Sequence, residues 1–476
     1  MTIRPSPTPF PLGPAHLVGI GGIGMSGIAE IMMNLGYSVQ GSDIRESANV
    51  IRLREKGAVV HVGHKGENVA GAGAVIISSA IKDDNVEVMA ARASGIPVVR
   101  RADMLAEIIR LKWTVAIAGT HGKTTTTTMM AALLDGAGID PTVINGGIIN
   151  AYDSNAKVGT GEWIVLEADE SDGTFMKIRP TIAVVTNMDA EHMEHYGTMD
   201  ALRAAFDTYV GNIPFYGFGV LCTDHPEVAA MVARVSDRRI ITYGYNRQAD
   251  IRAVNLQPSA DGVKFDVMIR ARLNAGERVI EGVFLPMAGE HNVSNALAAI
   301  TVAVELGATN DQIRDSLGKF GGVKRRFTAV GEWTPVAGQP PVRFIDDYAH
   351  HPVEIEACLQ AARAIQGQNR VIAISQPHRY SRLGDLFEEF AQCYREADIA
   401  VITPVYAAGE EAVDGVDSRA LVTSMKGHGH KQALELAELD GLPALVAKLA
   451  RPGDMVVCMG AGSISAHANK LAESLA

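Results

Sequence analysis

The stretch GTHGKT, Gly119 to Thr124, follows the apolar run TVAIA and leads into a segment of helical period. A lysine after glycine, with a hydroxyl residue at a helix start, places an ammonium on the terminal phosphates of a nucleotide and an oxygen on its Mg²⁺. The predicted phosphate loop is Gly119, Thr120, His121, Gly122, Lys123, Thr124 and Thr125. It departs from the commonest pattern in one respect, because the position five before Gly122 is Ile117 rather than glycine. The bland alternative is a glycine-rich helix cap with a solvated lysine.

A second glycine cluster, GIGGIG at Gly19 to Gly24, follows HLVGI and also opens a helix, and Asp43 ends the next strand-like run. Glycines let the backbone approach a diphosphate whose charge then rests on the helix N-terminus. A nicotinamide dinucleotide, with Asp43 on its ribose, is the default ligand for such a loop. LEADESD (Leu166 to Asp172) and TNMDAEHMEH (Thr186 to His195) bring carboxylates to the ends of two further strand-like runs. Glu167 there is a hard oxygen ligand for Mg²⁺, and His192 gains metal character from Asp189, Glu191 and Glu167. GEHNVSNALAAI places Asn292 and Asn295 at the start of an apolar helix, where capping alone would explain Asn292. DDYAHHP (Asp346 to Pro352) and QPHRYSR (Gln376 to Arg382) supply Asp347, His350, Arg379 and Arg382. Two arginines three apart can take a carboxylate through forked donors.

These residues need rigid strand ends to hold them. Short β-branched runs alternate with helical segments in three separate series, opening at HLVGI, at TVAIAG and at VRFIDD. That alternation predicts an α/β protein of three domains, each built on an open, mostly parallel sheet with its ligands at the carboxyl ends of the strands. The N-terminal and C-terminal domains are expected to be Rossmann-like and the central one a P-loop ATPase fold. The glycine- and proline-rich GGVKRRFTAVGEWTPVAGQPP marks one junction near Arg326, and a softer one lies near Leu111. The expected domains are therefore residues 1–111, 112–326 and 327–476.

Composition excludes several classes. Lys and Arg total 43 against 54 Asp and Glu, a net charge of −11, with no long basic run, so no nucleic-acid partner is expected. The four cysteines form no CxxC or Cys/His cluster, which suits a reducing cytosol and a cytoplasmic protein. The best apolar candidate for a membrane span, from Asn295, is short and broken by Glu305, and MTIRPSPTPFPLGP reads as a flexible arm rather than a signal peptide. No membrane insertion is expected.

In this order, GIGGIGMSGIAE, GTHGKTTTT, EADESD, GEHNVSNALAA, DDYAHHP, QPHRYSR and YAAGEE followed by DSR resemble the motifs of the ATP-dependent Mur ligases. The resemblance covers essentially the whole chain after the proline-rich arm. It implies that a carboxylate on a sugar nucleotide attacks ATP to give an acyl phosphate, which an amino acid's amine then displaces. The implied substrates are UDP-N-acetylmuramate, L-alanine and ATP as co-substrate, with two Mg²⁺ ions. By resemblance, Gly21, Gly22, Ile23, Gly24, Asp43, Ser78, Ser79 and Arg101 hold the UDP-sugar, in place of a nicotinamide dinucleotide. Lys123 and the loop hold ATP, assisted by Asn292, Asn295, Arg326 and Asp347. Thr124, Glu167 and His192 ligate metal, and His350, Arg379 and Arg382 hold the amino acid and the intermediate.

Siblings that add later residues carry a modified lysine after the metal-binding histidine, whereas MEHYGTMDALRAAFDTYVGN here has none, which favours the alanine-adding branch. The rival within the family is a recycling ligase that attaches a murein peptide. Outside it stand a nicotinamide-dependent oxidoreductase fused to an NTPase and a non-catalytic nucleotide-binding regulator. The expected assembly is a monomer or weak homodimer.

Overall fold

The computed structural model describes residues 12–78, 80–110, 112–149, 154–259, 261–270 and 276–475. Leu111, at the expected first junction, and Ser79, an expected sugar-nucleotide residue, lie outside the described residues, as does the side chain of Ile23. The predicted three-series α/β architecture is what the chain forms, on three separate sheets.

The first sheet contains β1 (Ala15–Val18), β2 (Val39–Asp43), β3 (Val59–Val62), β4 (Ala74–Ile77) and β5 (Val98–Arg100). All its pairings are parallel, in the order β3-β2-β1-β4-β5. The order reverses between β1 and β4, and ligands of open α/β sheets bind at such a switch point. GIGGIG follows β1 and Ser78 follows β4, so two expected binding segments leave adjacent strands.

The second sheet holds β6 (Trp113–Ala118), β7 (Thr142–Ile149), β8 (Ser154–Lys157), β9 (Trp163–Glu167), β10 (Ile182–Val185), β11 (Phe218–Cys222) and β12 (Ile240–Gly244). They lie in the order β12-β11-β10-β6-β9-β7-β8. β6 is central, parallel to β9 on one side and β10 on the other. Its last five residues are buried, as expected of an inner parallel strand covered on both faces. The strands β13 (Ile251–Ser259), β14 (Gly262–Ile269) and β15 (Arg278–Leu285) then neighbour one another in sequence order. The alternating burial of β14 and β15 marks strands with only one covered face.

The third sheet contains β16 (Thr328–Trp333), β17 (Val342–Asp347), β18 (Val371–Ser375), β19 (Ile399–Ile402), β20 (Ala433–Glu435) and β21 (Met455–Met459), ordered β16-β17-β21-β18-β19-β20. Only β16 runs antiparallel. By packing, the chain divides into two compact units, residues 1–252, 269–278 and 297–316 forming one and 253–268, 279–296 and 317–476 the other. No helix among the described residues is long and apolar enough to cross a membrane.

One polar network inside the first sheet's domain fixes the glycine turn. The carbonyl of Ser42 accepts from the amides of Gly19 at 2.8 Å and Ile20 at 3.0 Å. The Ser42 hydroxyl donates to Glu87 Oε2 at 2.5 Å, which also lies near His16 Nε2 at 3.4 Å and His64 Nδ1 at 3.2 Å, while Asn68 Nδ2 donates to Oε1 at 2.6 Å. Burial alone would raise the Glu87 carboxyl, but hydrogen bonds from His16, Ser42 and Asn68 outweigh it and hold the pKa down at about 2. A folded pKa below the unfolded 4.5 means stability that is present above 4.5 and lost as pH falls through about 2. That linkage is worth on the order of 3 kcal/mol. Denaturant unfolding between pH 4.5 and about 2 is expected to show a steeper loss of stability in the wild type than in Glu87→Gln; equal slopes would remove this role for Glu87.

Candidate active site

The central strand β6 runs into a turn that only glycine can make at two points. Gly119 has φ +132°, and a Cβ there would stand 2.1 Å from Thr186 Oγ1; Gly122 has φ +82° and precedes helix Lys123–Gly136. No side chain caps that helix, so its first amides remain available to an anion. The loop is braced from β10. Thr120 Oγ1 accepts from Asp189 N at 2.8 Å, Asn187 Oδ1 accepts from His121 N at 2.7 Å, and the His121 carbonyl accepts from Thr186 Oγ1 at 2.7 Å. The His121 ring faces Asp189 at 3.4 Å, and His225 faces the same carboxylate at 3.2 Å. Burial opposes ionisation of Asp189, but these two histidines prevail and hold its carboxyl well below the usual range. His121 thus has its amide and its ring engaged by the β10 loop.

Lys123 is folded over its own loop. Its Nζ donates to the carbonyls of Gly119 at 2.6 Å and Thr120 at 3.1 Å and to Glu170 Oε1 at 2.8 Å. Burial works against the ammonium, yet Glu170, Glu167 and Asp169 together hold its pKa above the ordinary value. Glu170 is 2% exposed, and burial pushes its carboxyl up to about 7 against the pull of Lys123. The lysine's charge is the firmer of the two, because three carboxylates favour it.

Next to Lys123, Thr124 Oγ1 donates to Glu167 Oε2 at 2.9 Å, where β9 ends. His192 sits in the left-handed region at φ +58°, with Nε2 3.9 Å from Glu170 Oε1 and 3.8 Å from Glu191 Oε2. No group of three or more His, Cys, Asp or Glu side chains among the described residues is arranged to enclose a metal ion. Mg²⁺ needs no such cage, since it keeps several waters and takes one or two protein oxygens plus phosphate. A hydroxyl and a carboxylate oxygen 2.9 Å apart at the helix start fit that donor set, and the buried Glu170 Oε2 has no hydrogen-bond partner. Thr125 is buried, and the next turn is held by Thr128 Oγ1, which donates to the Thr124 carbonyl at 2.8 Å and accepts from Asn145 at 2.9 Å.

At the first sheet's switch point, Gly22 precedes helix Ile23–Asn34, again without a side-chain cap. Asp43 Oδ2 accepts from the Gly21 amide at 2.9 Å, so this carboxylate holds the turn itself. A Cβ on Gly24 would stand 2.5 Å from Arg101 Nη1, which puts a guanidinium against the same helix start. Gly21, Gly22, Gly24, Asp43 and Arg101 thus form one cluster.

The other unit carries the remaining residues. Asn292 Nδ2 donates to the Ala288 carbonyl at 2.7 Å inside the first turn of helix Glu290–Glu305, and Asn295 is 8% exposed one turn on. Asp347, at the end of β17, accepts from Phe327 N at 2.6 Å and Ala349 N at 2.7 Å. Burial pushes its carboxyl up to about 6, partly offset by Arg326. The guanidinium of Arg326 lies 5.3 Å from the Tyr348 ring centroid.

His350 Nδ1 lies 3.0 Å from the Tyr348 carbonyl and 3.2 Å from Glu354 Oε2. Its ring meets His378 edge-on at 5.8 Å, and His378 stacks on Tyr406 at 5.5 Å. Arg379 takes φ +69° at the start of helix Tyr380–Asp385 and donates its amide to the Tyr406 carbonyl at 2.9 Å, while Arg382 Nη1 comes within 3.4 Å of His378 Nδ1. Burial, followed by the charges of His350, Arg382 and Arg379, lowers the His378 pKa to about 4, so this ring is neutral near pH 7. The third sheet therefore gathers His350, Arg379 and Arg382 and adds His378, Tyr406 and Glu354. His378 and Tyr406 lie within the QPHRYSR and YAAGEE stretches, but their stacking is not a sequence pattern.

Three family models match the chain: Mur ligase family, catalytic domain, over residues 14–113; Mur ligase middle domain over 117–303; and Mur ligase, glutamate ligase domain over 325–462. A UDP-N-acetylmuramate--L-alanine ligase of Hyphomonas neptunium is 65% identical over 466 residues, covering 98% of each chain. The enzyme of the same name from Rhodospirillum centenum is 59% identical over 98% of this chain and 95% of its own. Among solved structures, the UDP-N-acetylmuramate-alanine ligase of Thermotoga maritima superposes with a TM-score of 0.77 at 30% identity, over 97% of this chain and 98% of its own. A murein peptide ligase of Psychrobacter arcticus shares the fold, with a TM-score of 0.67 at 24% identity over 97% of this chain and 98% of its own.

Proposed function

The chain belongs to the Mur ligase family, and from that premise we propose that it joins L-alanine to the lactyl carboxylate of UDP-N-acetylmuramate, using ATP. It is an ATP-dependent amide-forming ligase of peptidoglycan precursor synthesis. The observation that carries the reading is the loop formed by Gly119, Lys123 and Thr124 beside Glu167, in a chain 65% identical along nearly its whole length to an alanine-adding relative.

We assign residues 1–111 to the sugar nucleotide, 112–326 to ATP and 327–476 to the amino acid. The uncapped helix at Gly22, with Arg101 beside it, suits a diphosphate, and Ser78 follows the neighbouring strand; Ser79 is assigned to the same ligand from the sequence. The lactyl carboxylate oxygen attacks the γ-phosphorus and ADP departs with the bridging oxygen, leaving an acyl phosphate. The neutral amine of L-alanine then attacks the acyl carbon, phosphate leaves, and the nitrogen gives up one proton to the departing phosphate or solvent, keeping one N–H in the amide.

Lys123 moves from Glu170 and its loop carbonyls to the transferred phosphoryl group, whose charge it stabilises. Thr124 and Glu167 would hold one Mg²⁺ and His192 a second, and these ions supply charge neutralisation on the phosphate oxygens. Asn292, Asn295, Arg326 and Asp347 are assigned to the nucleotide. Arg379 and Arg382 take the alanine carboxylate, and His350, held by Glu354, faces the intermediate. Little covalent chemistry falls to the protein. Positioning three reactants can supply about 7 to 11 kcal/mol of barrier reduction. We place the reaction in the cytoplasm, where ATP is made and held.

Phosphate release tests the reading. It is expected only when UDP-N-acetylmuramate, L-alanine, ATP and Mg²⁺ are all present; full release without the sugar nucleotide would overturn the assignment.

A further inference from the structure

We propose that Glu170 is an exchange counter-ion: it holds Lys123 over the Gly119–Thr125 loop, yields it to the γ-phosphate, and receives a divalent cation from the His192 side in return. This rests on the ATP-ligase reading for the identity of the nucleotide. The first observation is saturation. An ammonium has three donors, and Lys123 commits contacts to Gly119 O, Thr120 O and Glu170 Oε1 at 2.6, 3.1 and 2.8 Å. A triphosphate cannot engage Nζ until at least one of these is given up, and the one ionic partner among them is Glu170.

The second observation is what remains once the lysine leaves. Glu170 is 2% exposed and its Oε2 already lacks a hydrogen-bond partner, so a departing ammonium strands a buried carboxylate beside an arriving polyanion. Removing one partner of a buried ion pair is strongly destabilising. Without another cation beside it, a carboxyl so buried takes up a proton instead of keeping its charge. His192 Nε2 lies 3.9 Å from the Glu170 oxygen that Lys123 vacates, with Glu191 Oε2 3.8 Å from the same ring atom. The loop that carries Glu170 is tied down independently, because its carbonyl accepts from Gly173 N at 3.0 Å and Tyr196 OH at 2.5 Å. Glu170 can thus exchange partners without moving its backbone. Lysine release and metal arrival become one coupled event, which keeps the loop from closing on a nucleotide that lacks its cation.

Isothermal titration with ATP in EDTA reads this without catalysis and without either acceptor substrate. Glu170→Gln removes the competing charge while keeping size and hydrogen bonding, so metal-free ATP should bind it about tenfold more tightly than the wild type. The Mg²⁺ concentration for half-maximal turnover should rise at least about tenfold in the same variant. Glu170→Asp retains the charge and is expected to restore weak metal-free binding, which separates an ionic role from packing. Metal-free ATP affinity that is unchanged or weaker in Glu170→Gln, in protein of wild-type melting temperature, would overturn the proposal. Failure of the ligase reading would appear separately, as turnover without L-alanine or the sugar nucleotide.

Discussion

Lys123→Ala is expected to lower the rate of phosphate release by at least about a thousandfold, while UDP-N-acetylmuramate binds with nearly unchanged affinity. The first effect follows from geometry: Lys123 Nζ lies over the loop assigned to the phosphates, next to the Thr124 and Glu167 pair. Lys123 is the one Lys or Arg side chain between Gly119 and Thr125. The second follows from topology, because the residues assigned to the sugar nucleotide follow strands of the sheet of β1 and β4, whereas Lys123 follows β6 in another sheet. The substitution also leaves Glu170 buried without its counter-ion, a cost of about 3 to 5 kcal/mol, so binding should be measured well below the melting transition. Calorimetry showing equal loss of sugar-nucleotide binding in folded protein would contradict the separation of the two sites.

A large effect of a different kind is expected at the arginine fork. Arg382→Ala should raise the KM for L-alanine about a hundredfold, as the loss of a charge-assisted carboxylate contact worth about 3 kcal/mol implies, with the KM for ATP within about twofold of wild type. Arg382→Lys should recover little, since an ammonium cannot reproduce the planar fork. Arg382 is held near His378, whose pKa of about 4 keeps that ring neutral at physiological pH, so Arg382 is the charged member of the pair. An unchanged KM for L-alanine, with the loss confined to ATP, would move these arginines from the amino-acid site to the nucleotide.

Much of this arrangement was legible in the sequence because strand, glycine turn and helix N-terminus are local. HLVGI with GIGGIG, TVAIAG with GTHGKT, and VRFIDD with DDYAHHP each become a parallel strand and the loop at its carboxyl end. Pairing order was not legible. The reversal between β1 and β4, and the central place of β6 between β9 and β10, come from contacts among residues far apart in the chain. The antiparallel edges β8 and β16 were missed for a related reason, since edge strands carry weaker hydrophobic runs than buried parallel ones.

At the site, residue types were readable but their partners were not. Asp43 suggested a ribose contact, and what the structure shows is its carboxylate holding the Gly21 amide. Glu170 stood in the EADESD stretch without a role, because its partner Lys123 is 47 residues away and the pair is created by β6 and β9 lying side by side. His378 and Tyr406 acquire meaning only once β18 and β19 are adjacent.

The most direct measurement is the mass of the product formed when purified protein is given UDP-N-acetylmuramate, ATP and Mg²⁺ with equimolar L-alanine and murein tripeptide. The expected result is UDP-N-acetylmuramoyl-L-alanine, formed one-for-one with phosphate and absent when either the sugar nucleotide or ATP is withheld. Preferential capture of the tripeptide, or phosphate release with no new amide, would contradict an alanine-adding ligase.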